Sequence, residues 1–371
     1  MKKKKILFIW HGGVVETYQK YIEELAKYDD LDVTLLLPEW SIEGSQKVTA
    51  YIPKDAKYKV IVAKGTAPQE PLINIFPSLP YYLWKIKPDI VHLFEEPWHN
   101  IAIYLDFWMN IIGRFHKMKL IFQTFQNQIE DYQKNWQFVQ NMTFKTSSAA
   151  ISCTNDGVDV LKHWGYKKPI YFIYPGIETK LFGFKDSTHL REKLGLTKFT
   201  IGYFGRMIKD KGVEDLIEGC KKLQFPYQLL MIGEGSDKKY FQTLTDNAIW
   251  LSAVSPNEIS EYYSALNLLV LPSRTTPRWK EQFGRVLAEA MLCGIPVIGS
   301  SSGEIQNVIG DAGLIFDEGD SKDLSRKIWQ IYQDKELRDK IIEKGLERAK
   351  EFDWSITAKK VYEVYKNLEQ G

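Results

Sequence analysis

The stretch EQFGRVLAEAMLCGIPVIG, residues 281–299, decides the fold. Glu281 stands just ahead of Phe283-Gly284, and a helical run carries Glu289 before Cys293-Gly294 stops it. Pro296 then leads a short apolar strand, so the stretch reads as one helix–strand unit of an α/β sheet. A helix opening near Gly284 points the N–H groups of residues 282–285 out of its first turn, where they favour an anion. Glu289 lies about 7–8 Å further along the axis, at roughly 1.5 Å per residue. Donors for phosphates, with an acceptor for ribose hydroxyls a few bonds away, match a nucleoside diphosphate. Glu281 lies on the other side of the phosphates, where a sugar would be.

The same alternation extends in both directions. Apolar runs at 200–204, 228–232, 249–251, 268–271, 296–298 and 314–316 read as strands buried on both faces. Helices are expected at 213–223, 237–243, 256–265, 283–293 and 321–334, with a polar connection at 189–197. Upstream, 6–10, 33–37, 60–62, 90–94 and 120–122 read as strands, and 14–25, 100–117 and 130–145 as helices. The region 335–368 is helical and broken near Asp353-Trp354. The expected fold class is α/β, with two Rossmann-like domains and a cleft between them.

A chain of 371 residues is long enough for two full cores. Its 49 basic and 47 acidic residues leave a net charge of +2, which argues against a general nucleic-acid binder. Cys153, Cys220 and Cys293 stand singly, make no disulfide or metal pattern, and suit a reducing, cytoplasmic setting. The basic start, Lys2 to Lys5, precedes an apolar run too short for a signal segment. Residues 100–113 are rich in Ile, Trp, Phe and Met but are interrupted by Asp106, and they fall short of the roughly 20 apolar residues of a membrane span. They read as a buried helix, with a peripheral membrane contact as the alternative.

Ligands of such sheets sit beyond the carboxyl ends of strands. Gly205-Arg206 and Lys211-Gly212 place two cations in one strand-to-helix loop, which suits a diphosphate or, more blandly, a solvated turn. Gly233-Glu234-Gly235 is a tight turn that lacks the last glycine of a dinucleotide fingerprint. Gly12-Gly13 lets backbone approach a ligand or simply turns the chain. Glu95-Glu96 is either a charged loop or a pair of acceptor-hydroxyl binders. Asp30 and Asp32 precede a strand and read as a turn, and no cluster has metal spacing, so no metal and no cofactor are expected. His92 falls in a buried strand, while His99, His116, His163 and His189 show no partner pattern.

Taken together, these residues resemble the retaining nucleotide-sugar glycosyltransferases of the GT-B fold, most like family 4, the group 1 glycosyl transferases. The resemblance rests on Gly205-Arg206, Lys211-Gly212, the Glu281 and Glu289 pair, Phe283-Gly284, Ala290-Met291, Gly294 with Pro296-Val297, and Gly303-Glu304. It implies an acceptor-binding domain over 1–185, a donor-binding domain over 186–352, and a terminal helix over 353–371 that packs back on the first. It implies that Arg206 and Lys211 hold the diphosphate and that Glu289 binds the ribose. Glu281, Gln282, Phe283 and Gly284 would contact the donor sugar. Gly12 and Gly13 would approach the phosphates, with Gly205, Gly233, Gly235 and Val254 lining the nucleotide. Many members carry a His in the loop where this chain has Gln126, followed by Asn127. Gln cannot shuttle a proton at neutral pH, so Gln126 reads as a sugar-positioning residue beside Glu95, Glu96 and Asn127 on the acceptor side. The implied activity is transfer of a sugar from a UDP- or GDP-sugar to a hydroxyl of a glycan, polysaccharide or lipid-linked acceptor. A non-catalytic nucleotide-sugar binder, or an epimerase or phosphorylase on the same frame, is the alternative.

Overall fold

The computed structural model describes residues 3–43, 46–130, 134–256 and 258–370. Lys2, the 131–133 part of the helix expected at 130–145, and residue 257 of the helix expected at 256–265 lie outside the described residues. The chain divides into two compact units. One runs to Gly176 and resumes at Trp354; the other is Ile177–Asp353.

The first unit carries strands β1 (Lys4–Ile9), β2 (Leu31–Pro38), β3 (Trp40–Glu43), β4 (Gln46–Thr49), β5 (Lys59–Ala63), β6 (Ile90–Leu93), β7 (Lys119–Thr124), β8 (Ala149–Ser152) and β9 (Ile170–Phe172). Seven of them form one sheet in the order β5-β2-β1-β6-β7-β8-β9, and β3 and β4 pair as a separate antiparallel hairpin. Every pairing in the large sheet is parallel. Period two explains the apolar runs: in β1, Ile6 and Phe8 enter one core, Leu7 and Ile9 the other. The first core includes the terminal helix Trp354–Gln370. Trp354 stacks on Tyr21 at 5.6 Å and Tyr362 on Tyr28 at 3.9 Å, while the Tyr365 hydroxyl meets His92 Nδ1 at 2.6 Å.

The second unit carries β10 (Phe199–Phe204), β11 (Tyr227–Ile232), β12 (Ala248–Leu251), β13 (Leu268–Leu271), β14 (Val297–Ser300) and β15 (Leu314–Phe316). They form one parallel sheet in the order β12-β11-β10-β13-β14-β15.

Three expectations change. Residues 177–185 join the second unit rather than the first. The Lys185 N–H donates to Ser264 Oγ at 2.9 Å, Ser260 Oγ donates to the Gly183 carbonyl at 2.7 Å, and the Ile177 N–H donates to the Phe352 carbonyl at 2.8 Å. The expected polar connection at 189–197 contains a helix, Thr188–Leu194, closed by Gly195 in the left-handed region. The helix expected to reach 117 ends at Ile112.

Candidate active site

In the second unit the strand order reverses between β10 and β13, the switch point at which open α/β sheets bind ligands. Two loops meet there, one from each strand. Gly212 ends the first with φ 64°, and a Cβ there would lie 1.8 Å from the Pro272 carbonyl oxygen of the second. Only glycine lets the loops press together this closely. Lys211 thereby reaches Glu281, with Nζ 2.7 Å from Oε2 and both side chains almost fully covered. Ser273 Oγ donates to the same carboxylate oxygen at 2.8 Å. The Trp279 ring covers the ammonium, its centroid 4.2 Å from Nζ. Arg206 stays exposed, its carbonyl accepting from the Tyr203 hydroxyl at 2.7 Å.

The helix of the opening stretch is Arg285–Leu292, and its N-cap is Gly284 at φ 74°. Gly284 has no side chain to cap the first turn, and a helix start carries partial positive charge. Glu289, one turn on, is half-buried rather than a solvated surface carboxylate. The Tyr263 hydroxyl donates to its Oε2 at 2.6 Å. Burial raises its pKa, with Arg285 and the Tyr263 hydroxyl pulling the other way. On the other side of β10, Lys238 Nζ donates to the Gly233 and Leu251 carbonyls at 3.0 and 3.1 Å. That ammonium clips together the carboxyl ends of β11 and β12, from which the chain runs on to Gly235 and to the half-buried Val254. Arg274 forks onto the buried Asp215, with Nε to Oδ2 2.6 Å and Nη2 to Oδ1 2.5 Å. This pair anchors the start of the β13 loop.

The first unit has its own switch point, between β1 and β6. His11 follows β1, and Glu95 follows β6. Both the His11 backbone N–H and Nδ1 meet Glu95 Oε1, at 2.6 and 2.5 Å. The Ala67 N–H donates to Asn74 Oδ1 at 2.8 Å, which turns the Asn74 amide nitrogen toward His11 Nε2 at 2.6 Å. Nε2 is then the acceptor, and Nδ1 carries the ring proton to Glu95. His99 Nδ1 meets the other Glu95 oxygen at 3.2 Å. Burial raises the Glu95 pKa, but His11 and then His99 outweigh it and bring the value down to about 2. Glu96 accepts from the Phe125 N–H at 2.9 Å and from the Thr124 hydroxyl, tying the β6 loop to the β7 loop. Gln126 follows, its amide donating to the Gln128 carbonyl at 2.8 Å, with Asn127 buried beside it. Gly12 and Gly13 form a short 3-10 turn after His11.

Residues 186–348 match the family model for glycosyl transferases group 1. This part of the chain is a group 1 glycosyl transferase domain. Among curated proteins, a capsular polysaccharide biosynthesis glycosyltransferase of Staphylococcus aureus is 33% identical over 177 residues, 44% of this chain and 45% of its own length. A GDP-mannose-dependent alpha-mannosyltransferase of Corynebacterium glutamicum is 28% identical over 273 residues, 67% of this chain and 60% of its own length. The chain spans about half the length of the curated relatives it matches. Solved structures match end to end. Sucrose-phosphate synthase from Thermosynechococcus elongatus has a TM-score of 0.77 at 18% identity, covering 99% of this chain and 100% of that one. Anabaena HepE, solved with UDP and glucose, has a TM-score of 0.71 at 18% identity, covering 98% and 100%. The fold is GT-B.

Within the group 1 domain, Arg206, Lys211, Glu281, Gln282, Phe283 and Gly284 fall on turns or loops at one switch point, and Glu289 lies inside the helix that follows. Glu95, Glu96, Gln126 and Asn127 gather after β6 and β7 of the other unit. Glu95 and Glu96 were expected to meet an acceptor; here their oxygens hold neighbouring loops. His99, which showed no partner pattern in the sequence, is bound to Glu95. Sequence reasoning missed Ser273, Trp279, Tyr263, His11 and Asn74. His11 had a signal, since it ends β1 directly before Gly12-Gly13. Tyr263 and Asn74 reach their partners from separate segments and left none. Asp32 pairs with Lys59 at 3.1 Å and Asp30 accepts from Tyr362, so the Asp30-Asp32 pair is structural. Among the described residues, no three His, Cys, Asp or Glu side chains gather as a metal site.

Proposed function

We propose that this protein is a retaining family 4 glycosyltransferase that moves a sugar from a nucleoside diphosphate sugar, UDP- or GDP-linked, to a hydroxyl acceptor. One observation carries the reading. The group 1 domain sets a cation and a carboxylate at its switch point, 2.7 Å apart, beside a helix start capped by glycine. Arg206, Lys211 and the first turn at Gly284 hold the diphosphate and stabilise the charge it gains as the glycosidic bond loosens. These fixed positive groups do the work of a metal ion, so transfer needs no added metal. Glu289, oriented by Tyr263, accepts from ribose hydroxyls. Glu281, already oriented by Lys211 and Ser273, accepts from donor-sugar hydroxyls. The departing phosphate oxygen takes the acceptor proton, so the reaction does not need a basic side chain at Gln126. Gln126 positions the sugar or acceptor through hydrogen bonds.

The solved relative with UDP and glucose and the curated GDP-mannose-dependent relative support a nucleotide-sugar donor of either base. The relative named for capsular polysaccharide synthesis supports a glycan or polysaccharide acceptor. A cytoplasmic setting, with peripheral contact between the first unit and a lipid surface, completes the proposal. The test is transfer from a panel of UDP- and GDP-sugars in the presence of chelator, with the product's anomeric configuration read by NMR. Retention of configuration without free phosphate supports the reading. Phosphate-dependent turnover, or donor binding without turnover on any acceptor, would replace it with one of the alternatives.

A further inference from the structure

The helix Leu79–Ile86 and the helix Asn100–Ile112 each bury one face in the first unit. Leu79 and Leu83 enter the core from one, and Ile101, Ala102, Leu105, Met109 and Ile112 from the other. The opposite faces are also apolar. Tyr81 is 56% exposed, Trp84 52%, Phe107 57% and Phe115 75%, with Ile111 between the last two. Single exposed hydrophobics are ordinary, but these belong to one patch. The Trp84 and Phe115 rings meet edge to face at 5.9 Å, which joins the two helices' outer faces. Phe107, Ile111 and Phe115 follow at the four-residue spacing of one helix face, continued past the helix end.

The exposed charges within residues 79–117 have one sign. Lys85, Lys87, Arg114 and Lys117 are all exposed. Lys85 Nζ sits 5.3 Å above the Tyr81 ring and Lys87 Nζ 5.5 Å above the Trp84 ring. The acids of the same region face elsewhere. Asp89 accepts from the Lys5 N–H at 2.8 Å, Glu95 and Glu96 hold the site loops, and Asp106 points inward to Thr143. His116 donates to the Pro88 carbonyl at 2.9 Å. Thus no exposed carboxylate stands among residues 79–117.

We propose that this face, Tyr81, Trp84, Phe107, Ile111 and Phe115 ringed by Lys85, Lys87, Arg114 and Lys117, docks the protein on an anionic lipid surface. It deepens the lipid-contact part of the proposed function and rests on that reading. Amphipathic rings with ammonium groups above them fit the boundary between headgroups and acyl chains, where the ring lies in the apolar layer and the cation in the headgroups. A second copy of the chain is a poorer occupant, since a twofold contact would set these four cations against the same four. Among the described residues no helix is long and apolar enough to cross a membrane, so the contact lies on the surface. Docking here brings the first unit, with Gln126 and Asn127, to a membrane where a lipid-linked acceptor hydroxyl would be presented.

The test is co-sedimentation of the full chain with vesicles of phosphatidylcholine alone or with about one third phosphatidylglycerol, at low and high salt. The wild type pellets with the anionic vesicles and is released by salt. Trp84→Ser with Phe115→Ser, and separately Lys85→Glu with Arg114→Glu, each lower partitioning about tenfold or more. Both pairs are exposed, so thermal midpoints and the stabilisation by nucleotide sugar stay those of the wild type. Failure of the wild type to pellet, or unchanged partitioning of both variants, overturns the proposal. So does a dimer in analytical ultracentrifugation that the Trp84→Ser, Phe115→Ser chain loses, because it makes a second copy the occupant. If nucleotide sugar still stabilises the chain, any of these results leaves the transferase reading standing; loss of transfer with intact vesicle binding does the reverse.

Discussion

At the switch point of the second unit, Lys211 and Glu281 are 2.7 Å apart beside the exposed Arg206 and a helix start capped only by glycine. At the switch point of the first unit, both nitrogens of His11 and both oxygens of Glu95 are already taken by Asn74, His99 and backbone. The strand order around the two points is the same, so the sheet does not explain the difference. Residue chemistry does. A Lys–Glu pair lies near a helix start with no side-chain cap, and helix starts favour anions. An imidazole bonded to a carboxylate closes on itself and fixes the loops around it. On the proposed function, one switch point binds charge; the other holds a frame.

The largest effect should follow from breaking the charged one. Lys211→Ala and Glu281→Ala should each lower kcat/KM about a hundred- to a thousandfold, the scale of losing one preorganised group at a developing charge. Each also leaves one member of a covered ion pair alone, so the denaturation midpoint must be measured beside the kinetics. Near-normal turnover in either variant would remove the second unit's switch point from the chemistry.

Breaking the closed one should cost stability before it costs donor binding. Glu95→Gln should destabilise the protein by about 1–3 kcal/mol at neutral pH, as hydrogen bonds to a charged group are lost. The pH dependence has a definite sign. The Glu95 pKa is lowered from 4.5 to about 2, so its contribution is full above 4.5 and lost as pH falls toward 2. Chemical denaturation against pH should show that acid limb in the wild type and a flatter one in Glu95→Gln. Equal limbs would mean that His11 and His99 do not hold the carboxylate.

The second unit was the more legible in sequence, and the reason is local. Gly205-Arg206, Lys211-Gly212 and the run from Glu281 lie at strand and helix ends where sequence neighbours are also neighbours in space. Strands β13 and β15 fall where their apolar runs predict. The first unit joins distant segments: Asn74 meets His11 across 63 positions, and the Tyr365 hydroxyl reaches His92 across 273. No pattern in a window of residues carries such pairs. The boundary at 185 failed for a similar reason, since residues 177–185 bond to Ser260, Ser264 and Phe352 far along the chain.

Smaller effects sharpen the contrast. Gln126→Ala should weaken turnover about tenfold without abolishing it, because a hydrogen bond rather than a proton transfer is lost. Complete loss with intact donor binding would instead place Gln126 in the chemical step. Tyr263→Phe should raise the donor dissociation constant about two- to tenfold by loosening Glu289, with kcat little changed. A fall in kcat alone would mean that Glu289 does more than bind ribose.

The most direct measurement is a thermal-shift titration of the wild type and Lys211→Ala with UDP- and GDP-sugars, because a ligand that binds only the folded state raises its midpoint by mass action. One nucleotide sugar should raise the wild-type midpoint in a concentration-dependent way, and Lys211→Ala should lose most of that shift. An equal shift in both proteins, or none in the wild type with any donor, would contradict a donor site at Lys211 and Glu281.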